Sequence, residues 1–281
     1  MWTATAGALR QASSADPLRV VEAGAGIGTM VERLLSRGTL THALYDFVEI
    51  NREAVETAGT RLRAWATSQD WQTAGVGKVA LLLSRQERQV EVRFHTQDID
   101  TYAQARPPGE ADLLLAHAFL DLVDWRRSAP AWLRLLRPGG VFYFTLNFDG
   151  LTAFLPAWEP AFDERLMAAY HRTMDARILP STLSGGRNTG RNLLEQLPRM
   201  GTNIVDAGPS DWLVRPDHGT YPGDEAYFLH FLVETVYGAV RSEAGIESAP
   251  LASWVAERHA QIERGELVFL AHQWDIAGVR A

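Results

Sequence analysis

Cysteine is absent from the 281 residues. That excludes disulfides, thiolate metal sites and a cysteine nucleophile, and it fits a cytoplasmic protein. Lysine is nearly absent: Lys78, in an expected loop, is the only one, so lysine-dependent chemistry has a single candidate. Positive charge is in the minority, with 27 Lys and Arg against 34 Asp and Glu and a net charge of −7, which disfavours nucleic acid as a partner. No apolar run approaches the roughly 20 residues that span a bilayer, so no membrane partner is expected. The opening "MWTATAGALRQASSADP" has neither a basic start nor an apolar core and does not read as a signal peptide. No internal repeat, low-complexity tract or metal site stands out, and the oligomeric state stays open.

What is present is a chain 46% hydrophobic, enough for one large core or for one domain with a sizeable insertion. A short helix is expected over residues 4–13. Apolar runs then alternate with helical patterns: the strand "LRVVEAG", a helix from about Gly28 to Arg37, the strand "HALYDFVEI" and the helix "REAVETAGTRLRAWAT". "KVALLLSRQERQVEVRFHTQDI" reads as two strands around a polar turn. "ADLLLAHAFL" is a buried strand, a helix runs near Trp125 to Leu136, and "RPGG" turns into the strand "VFYFTLNF". Such alternation predicts an α/β fold, a doubly wound and mostly parallel sheet covered on both faces. After Asp149 the pattern becomes helical, with strands resuming at "TNIVDAG", "SDWLV" and "ELVFLAHQWDI". The expected organisation is one core (1–150, 201–221, 264–281) carrying a helical cap built from insertions (151–200, 222–263).

The loop Glu22-Ala23-Gly24-Ala25-Gly26-Ile27-Gly28-Thr29 follows the first strand and opens the first helix. A dinucleotide fingerprint would read G-x-G-x-x-G and lay a pyrophosphate on the helix N-terminus. Here Thr29 stands at the third glycine position, Gly28 comes one residue early, and an acid precedes the loop. An acid repels pyrophosphate and suits a ligand with a cationic amino group. This pattern resembles the first motif of the class I S-adenosylmethionine-dependent methyltransferases. Four further segments match in order: Glu49-Ile50 ending the second strand, Asp98-Ile99 in "HTQDID", the strand "ADLLLAHAFLDL" with His117 at its mouth, and "LRPGGVFYFT". The likeness covers roughly residues 18–149. It implies a Rossmann-like, seven-stranded sheet and S-adenosyl-L-methionine as cofactor, with S-adenosyl-L-homocysteine as product. It implies Glu22, Gly24, Ala25, Gly26 and Gly28 around the methionine part, Glu49 on the ribose hydroxyls, Ile50 beside it, Asp98 near the adenine amino group, Ile99 on the ring and His117 near the sulfonium. Asp100 is the alternative to Asp98.

Methyl transfer needs alignment and exclusion of water, and an oxygen or neutral nitrogen acceptor also needs a base. The candidates are His171, Asp149 and His117. His171 and Asp175 lie four apart on one helical face. Tyr170, Arg187, Asp175 and Trp212 are candidate substrate contacts; Arg187 or Arg191 could hold an anionic group, and Thr189 reads as a helix cap. Asn147, Asp211, His272 and Asp275 lie near strand ends. Phe154, Trp158, Phe162 and Trp212 suggest a small, partly apolar acceptor or simple packing of the cap. Two other readings stay open. One is a methyltransferase-like protein that binds cofactor or a partner without catalysis. The other is an NAD(P)-dependent reductase, which lacks the Tyr-x-x-x-Lys pair because Ala74 stands four before Lys78.

Overall fold

The computed structural model describes residues 17–76, 80–176 and 184–281. The helix expected over residues 4–13 and Lys78 lie outside these. The backbone of the fold is one ten-stranded sheet. Its strands are β1 (Leu18–Ala23), β2 (His42–Glu49), β3 (Gln72–Val76), β4 (Ala80–Arg85), β5 (Arg88–Thr96), β6 (Ala111–His117), β7 (Leu136–Leu155), β8 (Thr202–Pro209), β9 (Trp212–Val214) and β10 (Val268–Arg280). The order is β3-β4-β5-β2-β1-β6-β7-β10-β8, with β9 also on β10.

Five strands in the middle, β5-β2-β1-β6-β7, pair in parallel. β10 enters antiparallel between β7 and β8. With β8 these make the expected seven-stranded core. Three strands are additional: β9, and the antiparallel pair β3 and β4 that extends the β5 edge. β1 and β6 read as continuous apolar runs because helices cover both their faces. On one face, helices α1 (Thr29–Ser36) and α2 (Arg52–Ser68) pack over Val20, Tyr45, Leu113 and Leu115. On the other, α3 (Ile99–Gln104) and α4 (Trp125–Leu133) pack over Val21, Val48, Leu114 and Phe144.

β7 does not stop where its sheet partner β6 stops. It kinks at Leu146 and Gly150, both at positive φ, and continues beyond the carboxyl edge to Leu155. There it pairs only with the start of β10, which in turn holds β9. This small outer sheet carries α5 (Pro160–Asp175), α7 (Glu225–Val240) and α8 (Ser248–Glu263). Phe154, Phe162, Leu166, Leu229, Val233, Trp254 and Phe269 form its separate core. The cap is therefore part sheet, and residues 151–155 belong to a strand.

One expected boundary moves. Helix α6 (Thr189–Gln196), assigned above to the cap, packs on the main sheet through Leu193 and Leu197. It acts as the crossover helix between β7 and β8. Gly190 allows the close approach, since a Cβ there would stand 2.7 Å from Trp274 and 2.9 Å from the Asn147 carbonyl.

Asp149 locks that helix in place. Its Oδ1 accepts from the Arg191 backbone N–H at 3.0 Å and from Arg191 Nε at 2.8 Å, and its Oδ2 accepts from Trp274 Nε1 at 3.2 Å. The carboxylate is buried while the Arg191 head is 60% exposed, so solvent screens the ion pair and the hydrogen bonds carry most of the effect. Asp149→Ala is expected to lower stability by about 2–4 kcal/mol. Urea unfolding measures this, and a loss under about 1 kcal/mol would show that Asp149 does not hold the helix.

Candidate active site

The carboxyl ends of parallel strands are where open α/β sheets take ligands. β1, β2, β5 and β6 all end on one edge, and a cavity of about 420 Å³ opens there. Gly24, Glu49, Asp98 and Phe119 are on its wall, with Ile50 and Ile99 as apolar surfaces.

The glycine loop is shaped by backbone angles that side chains disfavour. Gly24, Gly26 and Gly28 have φ of 64°, 56° and 86°. Gly24 faces the ring of Phe119, so closely that a Cβ there would sit 2.2 Å from it. Gly26 faces open space, with nothing within 4 Å of where its Cβ would be. Ala25 is buried in the core, so it contributes backbone and not a side chain to the loop. Its N–H donates to the Val48 carbonyl at 3.1 Å, which ties the loop to β2.

Glu49 joins the loop to the next helix. Its Oε2 accepts from Gly26 N–H and its Oε1 from Asn51 N–H, both at 2.9 Å. Asn51 in turn caps α2. These bonds fix the carboxylate and leave each oxygen a further lone pair for a donor in the cavity. Asp98 caps α3, its Oδ1 accepting from Asp100 and Thr101 N–H at 2.8 and 3.1 Å. That leaves Oδ2 outside the cap. Asp100, the alternative, is tied to α4 through Ser128 Oγ at 2.7 Å and Trp132 Nε1 at 2.6 Å. Both carboxylates line the cavity, and Asp98 is the one with an oxygen that carries none of these bonds. Ile50 is 69% exposed, an apolar surface at the cavity rim.

Other expected residues are placed elsewhere. Glu22 does not line the cavity; it is buried on the α1 face, where it accepts from Tyr45 Oη at 2.6 Å. Burial pushes its carboxyl up to about 8, with the Glu49 charge adding to the rise and the Tyr45 bond opposing it. Because the folded value lies above the unfolded one, the protonated form stabilises the fold fully below the unfolded value, and that stability is lost as pH rises toward 8. Glu22→Gln keeps an acceptor for Tyr45 and removes the ionisation. Its stability relative to the parent should therefore grow by about 1–3 kcal/mol between pH 6 and pH 8. Equal denaturant curves at both pH values would contradict this.

His117 ends β6 as expected but faces α1, away from the cavity. Alternation decides it: Leu113 and Leu115 face α1 and α2, while Leu114 and Ala116 face α3 and α4. His117 Nδ1 meets Thr145 Oγ1 at 2.6 Å and its ring edges onto Tyr143. Nε2 is buried without a partner, and burial, helped by Arg33, lowers the imidazole to about 3. It is a neutral histidine.

Asp149 is held by Arg191 and Trp274 and does not line the cavity. The pair His171–Asp175 does not form. Asp175 binds Arg187 instead, through its Oδ2 to Arg187 Nε at 3.0 Å and its Oδ1 to the Arg187 N–H. His171 lies within the cap with Nε2 3.1 Å from Thr152 Oγ1 and its ring against Phe148 and Tyr170. Burial and the nearby Arg187 lower its pKa. Trp212 stacks on Phe228 on the outer sheet. Neither Tyr170, His171, Asp175, Arg187 nor Trp212 lines the cavity at the glycine loop. Asp211 pairs with His272, and Asp275 accepts from Leu146 N–H and Tyr143 Oη.

The wall that the sequence did not announce comes from the connection after β6, Phe119, Leu122, Val123 and Asp124, and from Arg127 in the first turn of α4. Ala118, at a φ of 50°, turns the chain so that Phe119 covers the loop. A signal was there, since "AFLDLV" is more apolar than a loop needs to be.

The sheet order sets the fold apart from the dinucleotide-binding arrangement, whose sixth strand is parallel; here β10 is antiparallel. A protein of Bacillus halodurans C-125, a provisionally assigned methyltransferase, superposes with a TM-score of 0.52 over 98% of each chain at 12% identity. The fold is that of the class I methyltransferases. The YcgJ protein from Bacillus subtilis superposes as well, with a TM-score of 0.51 over 100% of this chain and 99% of that one at 14% identity. No protein-family profile matches the sequence. No curated protein matches it either. Among the described residues no helix is long and apolar enough to cross a membrane, and no cluster of three or more His, Cys, Asp or Glu could hold a metal ion.

Proposed function

We propose that the protein is an S-adenosylmethionine-dependent methyltransferase that binds its cofactor in the carboxyl-edge cavity and methylates a small molecule at oxygen or nitrogen. The observation that carries this is Glu49, fixed by the Gly26 N–H at the mouth of a cavity that also presents Asp98 and Ile99. The residues fit the group. Glu49 is set to accept from two ribose hydroxyls, and Asp98 Oδ2 from an exocyclic amino group. Ile50 and Ile99 offer apolar surface to a purine, and open space above Gly26 admits a close approach. Once bound, S-adenosylmethionine supplies a methyl group activated by a sulfonium. The chain's own contribution is to orient both partners and exclude water, which is worth on the order of 7 kcal/mol or more when alignment is good.

The net negative charge of the chain and the apolar residues of the 119–123 connection support a small acceptor. Incubation with S-adenosylmethionine labelled in its methyl group and a fractionated metabolite extract tests the reading. Label should pass to low-mass products; label in nucleic acid or protein alone would overturn the choice of acceptor. A second reading, cofactor binding without catalysis, draws support from one observation: His117, Asp149 and His171 all lie off the cavity wall. Cofactor binding with no turnover on any extract fraction would favour it.

A further inference from the structure

A second cavity, of about 450 Å³, opens to solvent on the cap between α5, the outer end of β7 and α8. It shares no wall residue with the cavity at the glycine loop. Its size falls within the range of small-molecule pockets, roughly 300–1,000 Å³. The walls are mostly apolar, with Phe154, Leu155, Met167, Ala168 and Trp254 among them.

The polar groups there decide the sign of a ligand. Asp163 is neutralised: its Oδ2 accepts from Arg258 Nη2 at 2.8 Å and from Trp158 N–H, and its Oδ1 from Trp254 Nε1. Arg258 gives Nη1 to the Pro156 carbonyl and Gln261 Oε1; its Nε has no partner among the described residues, but the whole side chain is buried and offers no surface to a ligand. The guanidinium also lies over the Phe154 and Trp254 rings, at 5.9 and 5.3 Å. His171, on the same wall, is bonded to Thr152, and burial favours its neutral form. One charge is left over. Glu164 lines the cavity from α5, is exposed, and has no partner among the described residues.

We propose that this chamber binds a small protonated amine with an apolar body, the body against Leu155 and Met167 and the ammonium at Glu164. The site is separate from methyl transfer and does not depend on it.

Methionine methyl NMR reads the site directly, because only five methionines are present and Met167 is on the wall. The Met167 signal is assigned by Met167→Leu. The probes are 2-phenylethylamine and 3-phenylpropanoate, equal in body and opposite in charge. The amine should shift the Met167 signal in a saturable way and bind at least about fivefold tighter than the acid, a difference of the size an exposed charge pair gives. Glu164→Gln should shrink that preference to less than about twofold. Ala168→Trp, on the exposed side of α5, should fill the chamber and abolish the shift; an unchanged methyl signal from Met174, which packs on the cap core, shows that the cap of the variant is folded. The proposal is overturned if neither probe moves Met167, if both bind equally in the parent, or if the shift survives Ala168→Trp.

Discussion

Glu49→Ala is expected to weaken S-adenosylhomocysteine binding by about 10²–10⁴-fold. The estimate follows from two charge-assisted hydrogen bonds to ribose hydroxyls, each worth roughly 1.5–3 kcal/mol. The structure adds a second source of loss. Glu49 also accepts from Gly26 and Asn51 N–H. Without it, the loop keeps only the Ala25 N–H bond to Val48 of the two that tie it to β2. Glu49→Gln keeps one acceptor oxygen and should fall between the parent and Glu49→Ala. Calorimetry measures all three. Parent-like affinity in Glu49→Ala would mean that the ribose lies elsewhere. Thermal unfolding without ligand separates the two effects. At 100 times its dissociation constant the product should stabilise the parent by about 2.7 kcal/mol and the variant by far less.

Gly26→Val is expected to reduce binding by more than about 100-fold. A valine at a φ of 56° is strained, by about 1–3 kcal/mol. Its side chain would also project into space that the protein leaves open, where a ligand must pass. Gly38→Val is the control. Gly38 has a φ of 68° and equally open surroundings, but it lies after the last turn of α1, at the opposite end from the loop. It should cost similar stability and leave binding intact. If both variants bind normally, or both lose binding alike, the glycine loop is not the ligand's floor. Gly24→Val is less informative, because its side chain would first displace Phe119.

The parts of this molecule that could be read from its sequence are those set by local pattern. The glycine loop, the strand ends at Glu49 and Asp98 and the buried run of β6 all depend on spacing within a few residues. α7 and α8 were legible for the same reason. β3 was not, because Gln72 to Gly75 are exposed and show no apolar alternation. Its place is made by pairing with β4. The continuation of β7 past Asp149 is a long-range effect as well, since its outer part pairs only with β10, more than a hundred residues later.

The candidate catalytic residues lie off the cavity wall, two of them held by partners that spacing does not reveal. His171 and Asp175 could have met across one helical turn, yet the Arg187 loop claimed Asp175. Asp149 sits at a strand end, but Arg191 and Trp274 occupy it from α6 and β10. For His117 the strand was right and the face was not, since one residue of alternation chooses between the two sides of the sheet.

The central claim is that the cavity between the glycine loop, Glu49 and Asp98 is the methyl-donor site. A crystal structure of the protein with S-adenosylhomocysteine tests it most directly. The account predicts the ribose hydroxyls within hydrogen-bond distance of Glu49, the adenine between Ile50 and Ile99 with its amino group toward Asp98, and the homocysteine part over Gly26. Nucleoside bound in the cap chamber or on another edge of the sheet, with the carboxyl-edge cavity left to solvent, would contradict it.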